Sequence, residues 1–268
     1  MPEFRETTRE GITVESYYVR DRHVLLTRAD FSALYVDFYL HLADLKMREP
    51  EAHLVLFKDV LAALVLHGAS RPWNEIYAWT LSFQKPRVNL FVTGNNPEGT
   101  VVGTLFSVDV RESDRNMMYA EVVRGSETKR RSVVDFSHAE VFPAVEHFYR
   151  QSEQRLCRLF RSDEDEFWFF SAQPDCDEGW LLGLEVEDLA VLEQNEVLSL
   201  LEKRQVRWHC GCHESRMFSV LLPPFLQDAE ALFQDEASLK MHCPRCGMPY
   251  VITREAMEAF ARENAEKS

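Results

Sequence analysis

Two close cysteine pairs near the C-terminal end constrain this chain more than any other feature. "HCGCHE" places Cys210 and Cys212 one glycine apart, and "HCPRCG" follows 30 residues later with Cys243 and Cys246. A Cys-x-Cys and a Cys-x-x-Cys separated by one supersecondary unit can deliver four thiolates to a single tetrahedral ion, at about 2.3 Å each. The stretch between them must therefore be short structure that returns the second pair to the first. Two accidental pairs are the competing reading. It is the weaker one wherever thiols are kept reduced, because clustered cysteines are then metal ligands or redox centres before they are structural disulfides. We expect one Zn²⁺ per chain bound by Cys210, Cys212, Cys243 and Cys246. His209, His213 and His242 flank these residues and rank as neighbours, since four thiols already complete a tetrahedron.

Compartment and charge agree with that reading. The chain has 268 residues, enough for an ordinary hydrophobic core without disulfide bracing. Its opening, "MPEFRETTREG", is charged, and its most apolar stretch, "HLVLFKDVLAALVLHGA", is interrupted by Lys58 and Asp59. We expect neither a signal peptide nor a membrane span, and hence a soluble, cytoplasmic protein. The net charge is −14, and residues 163–193 hold 11 acidic side chains and no Lys or Arg. Even the cysteine-bearing end, from Trp208 onward, has 9 Asp and Glu against 6 Lys and Arg. A phosphate backbone would be repelled, which argues against a nucleic-acid partner.

Periodicity divides the remainder. "TVESYYVRDRHVLL" alternates as a strand, and Phe31, Leu34, Tyr35, Phe38 and Leu42 recur at helical spacing. Beyond Pro50, a second helix from Glu51 to about His67 ends before Gly68 and Pro72. From Trp73 the period becomes two, through "VNLFVTG", "GTVVGTLFSVDV", "NMMYAEVVRG" and "RRSVVDF". A helix from Val141 to Arg155 precedes two further expected strands, "EFWFFSAQ" and "GWLLGLEV". "EDLAVLEQNEVLSLLEKRQ" reads as one or two short helices with Asn195 as an N-cap. The expected fold is α+β: a mixed sheet-and-helix core over residues 1–184, a short helical linker over 185–207, and a small zinc-binding domain over 208–268.

No phosphate-cradling glycine loop, HExxH, G-x-S-x-G elbow or EF-hand loop is present, and zinc with four thiolates has no open position, so no enzyme is expected. His41, His53, His67 and His147 lie in helical stretches and receive no role. The 61 residues from Trp208 onward can build only a marginal core, from Phe218, Leu222, Phe225, Leu232, Tyr250, Ile252 and Phe260, so the metal should hold this domain together. Oxidation would undo it. Tetrahedral sulfurs sit about 3.8 Å apart, whereas a disulfide needs about 2.05 Å, so bond formation expels the ion. Proximity favours Cys210 with Cys212 and Cys243 with Cys246, and such small loops stabilise little. Unfolding is expected to run from about Glu185 onward, releasing apolar surface between Phe218 and Phe233. Spacing permits this switch without requiring it, because a permanent structural zinc uses the same four ligands.

These residues resemble the heat-shock protein 33 kDa family, the redox-regulated holdase chaperones also called 33 kDa chaperonins. The Cys-x-Cys and Cys-x-x-Cys with their spacing fit the family pattern, "MHCPRCGMPYVITREAMEAF" looks like its closing segment, and "FYRQSEQRLCRLF" is similar to its Ser-Glu-Gln element. Weaker likeness runs through "YYVRDRHVLLT" and "NLFVTGNNPEGTVVG". The connector before Cys210 is shorter than the family's linker. The resemblance implies a cytosolic chaperone that is inactive when reduced and zinc-bound, and that binds unfolding client proteins without ATP when oxidised. Self-association into a homodimer is allowed in that state. A diverged member with permanent zinc, acting as a binding module or constitutive chaperone, is the alternative. Cys157 and Cys176 fall outside the motif and read as a buried structural thiol and a modestly reactive loop thiol.

Overall fold

The computed structural model describes residues 11–108, 110, 112–234 and 236–265. Its contacts divide the chain into residues 1–209 and 210–268. In the first unit, β1 (Ile12–Val19) and β2 (Val24–Asp30) form a hairpin through a tight turn at Arg20–Arg22, closed by His23 in the left-handed region at φ 52°. The expected single strand is thus two. Helices α1 (Ser32–Asp44) and α2 (Glu51–Ala69) follow. Five antiparallel strands come next: β3 (Glu75–Gln84), β4 (Arg87–Asn95), β5 (Thr100–Phe106), β6 (Asn116–Arg124) and β7 (Arg130–Phe136). Helix α3 (Val141–Phe148) continues into a wider π turn at Tyr149–Glu153, ahead of β8 (Cys157–Arg161) and β9 (Glu166–Ala172). Then come α4 (Glu178–Gly183), a 3-10 turn at Val186–Val191, α5 (Leu192–Asn195) and β10 (Leu198–Trp208).

Ten strands make one sheet in the order β7-β6-β3-β4-β5-β10-β1-β2-β9-β8. Alternation fixes its faces. Tyr77, Trp79, Leu81 and Phe83 of β3 are buried on the side covered by α2, at 6%, 1%, 0% and 0% exposure. Gly68 permits the close approach, since a Cβ there would meet the Tyr77 hydroxyl at 1.6 Å. Among the described residues α2 is the one helix apolar and long enough to cross a membrane, yet 72% of that stretch is buried. The charges that interrupt it are paired, Lys58 with Asp165 at 2.7 Å and Asp59 with Arg161. Phe167 and Phe169 of β9 point to the helix side, with Phe31 5.4 Å from Phe167 and Tyr149 5.3 Å from Phe169 between ring centres. Trp168 and Phe170 alternate with them and join Val19, Val24 and Leu26 in a second core, closed by Leu181, Leu184, Leu189 and Leu192.

Two sequence expectations are corrected here. "GWLLGLEV" is not a strand: Asp177 caps α4 by accepting the Trp180 amide at 3.0 Å, which leaves Leu181 buried and Leu182 exposed. Residues 185–207 are helical only in their first half, through the 3-10 turn at Val186–Val191 and α5, and the second half is not a linker. Asn195 closes α5 instead of capping a helix, and 198–208 form β10 at the middle of the sheet. β10 runs antiparallel to β1 from Ile12↔Val206 to Val19↔Leu198, with a bulge beside Ser16, and parallel to β5 at Arg207↔Thr100 and Trp208↔Val101. Leu, Glu, Lys, Gln and Arg favour a helix locally, but two flanking strands with unpaired amides and carbonyls override that preference. Arg204 and Trp208 anchor the strand. Arg204 is 6% exposed and donates to the Gly68 carbonyl at 3.1 Å, and Trp208 lies against Phe38, His41 and Phe57 at 5.7, 5.7 and 6.4 Å.

The second unit contains α6 (Glu214–Gln227), α7 (Ala229–Phe233), a hairpin of β11 (Ser238–His242) and β12 (Pro249–Thr253), and α8 (Arg254–Ala265). Its buried apolar side chains among the described residues are few: Met217, Phe218, Phe233, Ile252 and Met257.

Candidate metal centre

The four cysteines stand at the ends of regular elements. Cys210 and Cys212 precede α6, with Gly211 between them at φ 63°. Cys243 follows β11. The chain then turns so that the Gly247 amide donates to the Cys243 carbonyl and the Cys243 amide to the Met248 carbonyl, both at 2.8 Å. Gly247, at φ 77°, lets this knuckle close behind Cys246. The β11–β12 register, from Ser238↔Thr253 to His242↔Pro249, sets where the knuckle sits.

All four sulfurs lie within 4.8 Å of one another and none is bonded to another. The contacts Cys210–Cys243 and Cys212–Cys246 are 3.6 and 3.5 Å. This spacing matches the edge of about 3.8 Å in a four-thiolate zinc tetrahedron and is far from a disulfide. Cys243 and Cys246 are buried, whereas Cys210 and Cys212 are half-buried. Hydrogen bonds among the sulfurs order their acidity. The Cys212 thiol is lowered to about 7, chiefly by Cys210, and Cys243 is also held low, again chiefly by Cys210. Cys210 is pushed up, chiefly by Cys212, and Cys246 chiefly by Cys210. Four cysteine sulfurs this close together could hold a metal ion, and an all-sulfur donor set suits a soft divalent one.

The flanking histidines are not part of the cluster, and His213 instead shares a hydrogen bond with Ser215 at 2.8 Å. Arg245 reaches the site through Nη1, which donates to the Cys210 carbonyl at 3.1 Å. Sequence reasoning missed Tyr250. Its hydroxyl donates to Cys212 Sγ at 3.0 Å, and an aromatic four residues past the last ligand had read only as core. Cys157 and Cys176 lie elsewhere, each pushed above the ordinary thiol value, first of all by burial. Cys176 packs at the edge of the second core.

An α+β core followed by a small module with a four-cysteine cluster able to hold a metal ion is the class of protein these features define. The family model described as Hsp33 protein matches residues 171–253, from the end of β9 through the knuckle to β12. A curated 33 kDa chaperonin of Mannheimia succiniciproducens is 32% identical over 90 residues, covering 32% of this chain but only 30% of that protein. The 33 kDa chaperonin of Proteus mirabilis is 22% identical over 244 residues, covering 77% of this chain and 82% of the relative. The crystal structure of the 33 kDa chaperonin from Thermotoga maritima superposes with a TM-score of 0.72 at 14% identity, covering 96% of this chain and 99% of that one. Together these matches support the Hsp33 family for this chain, through the family model over residues 171–253 and through the fold over nearly the whole length.

Proposed function

We propose that this chain is a redox-regulated, ATP-independent holdase chaperone of the cytoplasm, acting in the response to oxidative stress. One observation carries the reading: four unbonded sulfurs lie within 4.8 Å of one another in a module with few other buried apolar side chains. Cys210, Cys212, Cys243 and Cys246 would hold one Zn²⁺, which supplies cross-linking across the module and no catalysis. A structural zinc contributes about 10–16 kcal/mol of apparent binding free energy, comparable with the stability of a whole domain, so losing it unfolds the module.

Which sulfurs join on oxidation decides the outcome. The 3.5 and 3.6 Å contacts run across the two pairs, and cross-pair disulfides would preserve the staple. Local pairing of Cys210 with Cys212 and of Cys243 with Cys246 gains once the module loosens, because one or two intervening residues keep those thiols together in an unfolded chain. Local pairing would free the segment around Phe218 and Phe233 for unfolding client proteins and for self-association of oxidised chains. β10 favours a limit to this release. Unfolding from Glu185 would draw the central strand out of the sheet and take Leu189 and Leu192 from the second core, so release is expected to begin after His209.

That same anchoring of β10 supports the second reading, a permanent structural zinc in a constitutive chaperone or protein-binding module. The deciding measurement compares reduced and peroxide-treated protein for suppression of client aggregation, with zinc release, disulfide mapping and hydrogen exchange on the same samples. Oxidation that forms the local disulfides, deprotects residues 210–265 and raises holdase activity supports the switch. Zinc retention, or cross-pair disulfides with unchanged protection and activity, establishes the second reading.

A further inference from the structure

We propose that the outer edge of the sheet, strand β7, is a docking site for an extended acidic segment of another protein, which adds to the sheet as a further strand. The surface lies within the first unit and involves none of the cysteines, so the inference stands apart from the redox reading.

The edge is open. β7 ends the order of the ten strands, and among the described residues its backbone pairs with β6 alone, from Asn116↔Phe136 to Val122↔Arg130. In an edge strand every second residue turns its N–H and C=O outward, which makes a template for another chain. Side chains alternate across this strand. Phe136 is buried against Phe83 on the helix side, and Ser132 accepts the Ser152 hydroxyl at 2.7 Å there. Arg131, Val133 and Asp135 stand exposed on the opposite face, with Val133 at 50%. The Arg131 guanidinium lies 5.0 Å over the Tyr119 ring of β6, which holds its side chain along the sheet.

Charge selects the occupant. The chain carries 30 Lys and Arg against 44 Asp and Glu, yet residues 115–131, along β6 and the turn into β7, hold five Lys and Arg against two Glu. Lys129 and Arg131 share one carboxylate, Glu121, at 3.1 and 3.6 Å, and Arg130 makes no ion pair among the described residues. This corner of the edge therefore stays positive. At the far end of the strand Asp135 is matched by Arg115 at 3.3 Å. Two antiparallel copies would set Arg131 of one near Asp135 of the other, but both of those charges already have partners in their own chain. Arg130 has none, and an acidic segment supplies one. The fitting partner is thus an extended segment with acidic side chains opposite Arg130 and Arg131 and a β-branched one opposite Val133. Its backbone hydrogen bonds give affinity, and the arginines and Val133 give selection.

The test uses full-length, reduced protein prepared with zinc, and a fluorescein-labelled peptide of alternating glutamate and valine, about nine residues long, read by anisotropy. This peptide should bind, and one with lysine in place of glutamate should not. A third, with proline at its centre, keeps the charge but cannot complete a ladder and should bind at least about tenfold more weakly. Arg130→Glu combined with Arg131→Glu should weaken binding about tenfold or more. Arg48→Glu combined with Lys240→Glu, an equal change of net charge at exposed positions elsewhere, should leave it unchanged. In wild-type protein the bound peptide should slow hydrogen exchange at alternate amides within Arg130–Phe136, a readout that holds even where the arginine variant folds poorly. Absence of binding, equal binding of the lysine or proline peptide, or binding without protection of β7 overturns the inference. Self-association that protects β7 and is abolished by the arginine variant overturns it too, by giving the edge to a second copy. Each of these results leaves the zinc and redox reading intact, because that reading is decided by metal release and client aggregation.

Discussion

Replacing Arg204 with methionine keeps the side chain's apolar stem and removes its guanidinium from the strand that joins the two halves of the sheet. In the native fold Nε donates to Glu202 Oε1 at 2.8 Å, Nη1 donates to the Gly68 carbonyl at 3.1 Å, and the guanidinium stacks 4.3 Å from the centre of the Trp73 ring. The Gly68 carbonyl is not orphaned by the change, because Asn96 Nδ2 also donates to it at 2.9 Å. Glu202 keeps the Trp73 indole N–H at 2.9 Å but loses its cation. Its side chain is 28% exposed, so water takes up part of that charge. The cost therefore falls toward the lower end of the roughly 3–5 kcal/mol for breaking a fully buried pair. A hydrogen bond to a charged group is worth about 1.5–3 kcal/mol and a cation–π contact about 0.5–2 kcal/mol, which together place the loss near 3 kcal/mol. At about 2–4 °C per kcal/mol for a unit of this size, the Tm of residues 1–209 should drop by about 6–12 °C. Differential scanning calorimetry of the reduced protein measures this, and hydrogen exchange should place the new opening within Leu198–Trp208. An unchanged Tm together with unchanged protection of β10 would refute the claim that this buried cation fastens the strand.

Cys246→Ser should lose tight zinc binding while leaving the first unit folded, as metal analysis and exchange mapping of the same sample can establish; full zinc retention would remove Cys246 from the ligand set. His67, fully buried and sharing a hydrogen bond with Tyr149 at 2.5 Å, is pushed by burial from 6.5 down to about 3. Its contribution to stability is complete above pH 6.5 and is lost as the pH falls toward 3. His67→Gln should therefore flatten the dependence of stability on pH in that window, as urea titrations would register. In reduced, zinc-loaded protein, iodoacetamide should modify half-buried Cys176 well before Cys157, which is 4% exposed, and peptide mapping that finds the reverse order would contradict the burial described.

The site was more legible in the sequence than the elements that carry it. Cysteine spacing restricts where sulfurs can go whatever lies between, so Cys210, Cys212, Cys243 and Cys246 could be brought together on paper. Tyr250 could not, because its role depends on hairpin register and on a hydroxyl meeting one particular sulfur. The α+β character followed from periods of two and 3.6 in long segments such as Glu75–Gln84 and Glu51–Ala69. Short segments failed where tertiary demands outweigh local preference. Leu198–Trp208 is rich in helix formers and becomes a strand because β1 and β5 leave a gap between them. At 178–183 the apolar run hid a helix whose best sign was the capping aspartate before it.

The position of β10 also sets a schedule for making the protein. Thr13 and its hydrogen-bond partner Gln205 are 192 residues apart, so the sheet's centre cannot close until nearly the whole core has been synthesised. At about 5–20 residues per second on the ribosome, β1 waits roughly 10–40 s for its neighbour, while the facing edges of β1 and β5 remain open to other chains. Pairings this distant also slow folding after release, because loop-closure entropy must be overcome before the contacts form. The nascent core thus passes through an interval in which it has the same need for protection that an unfolding client would have.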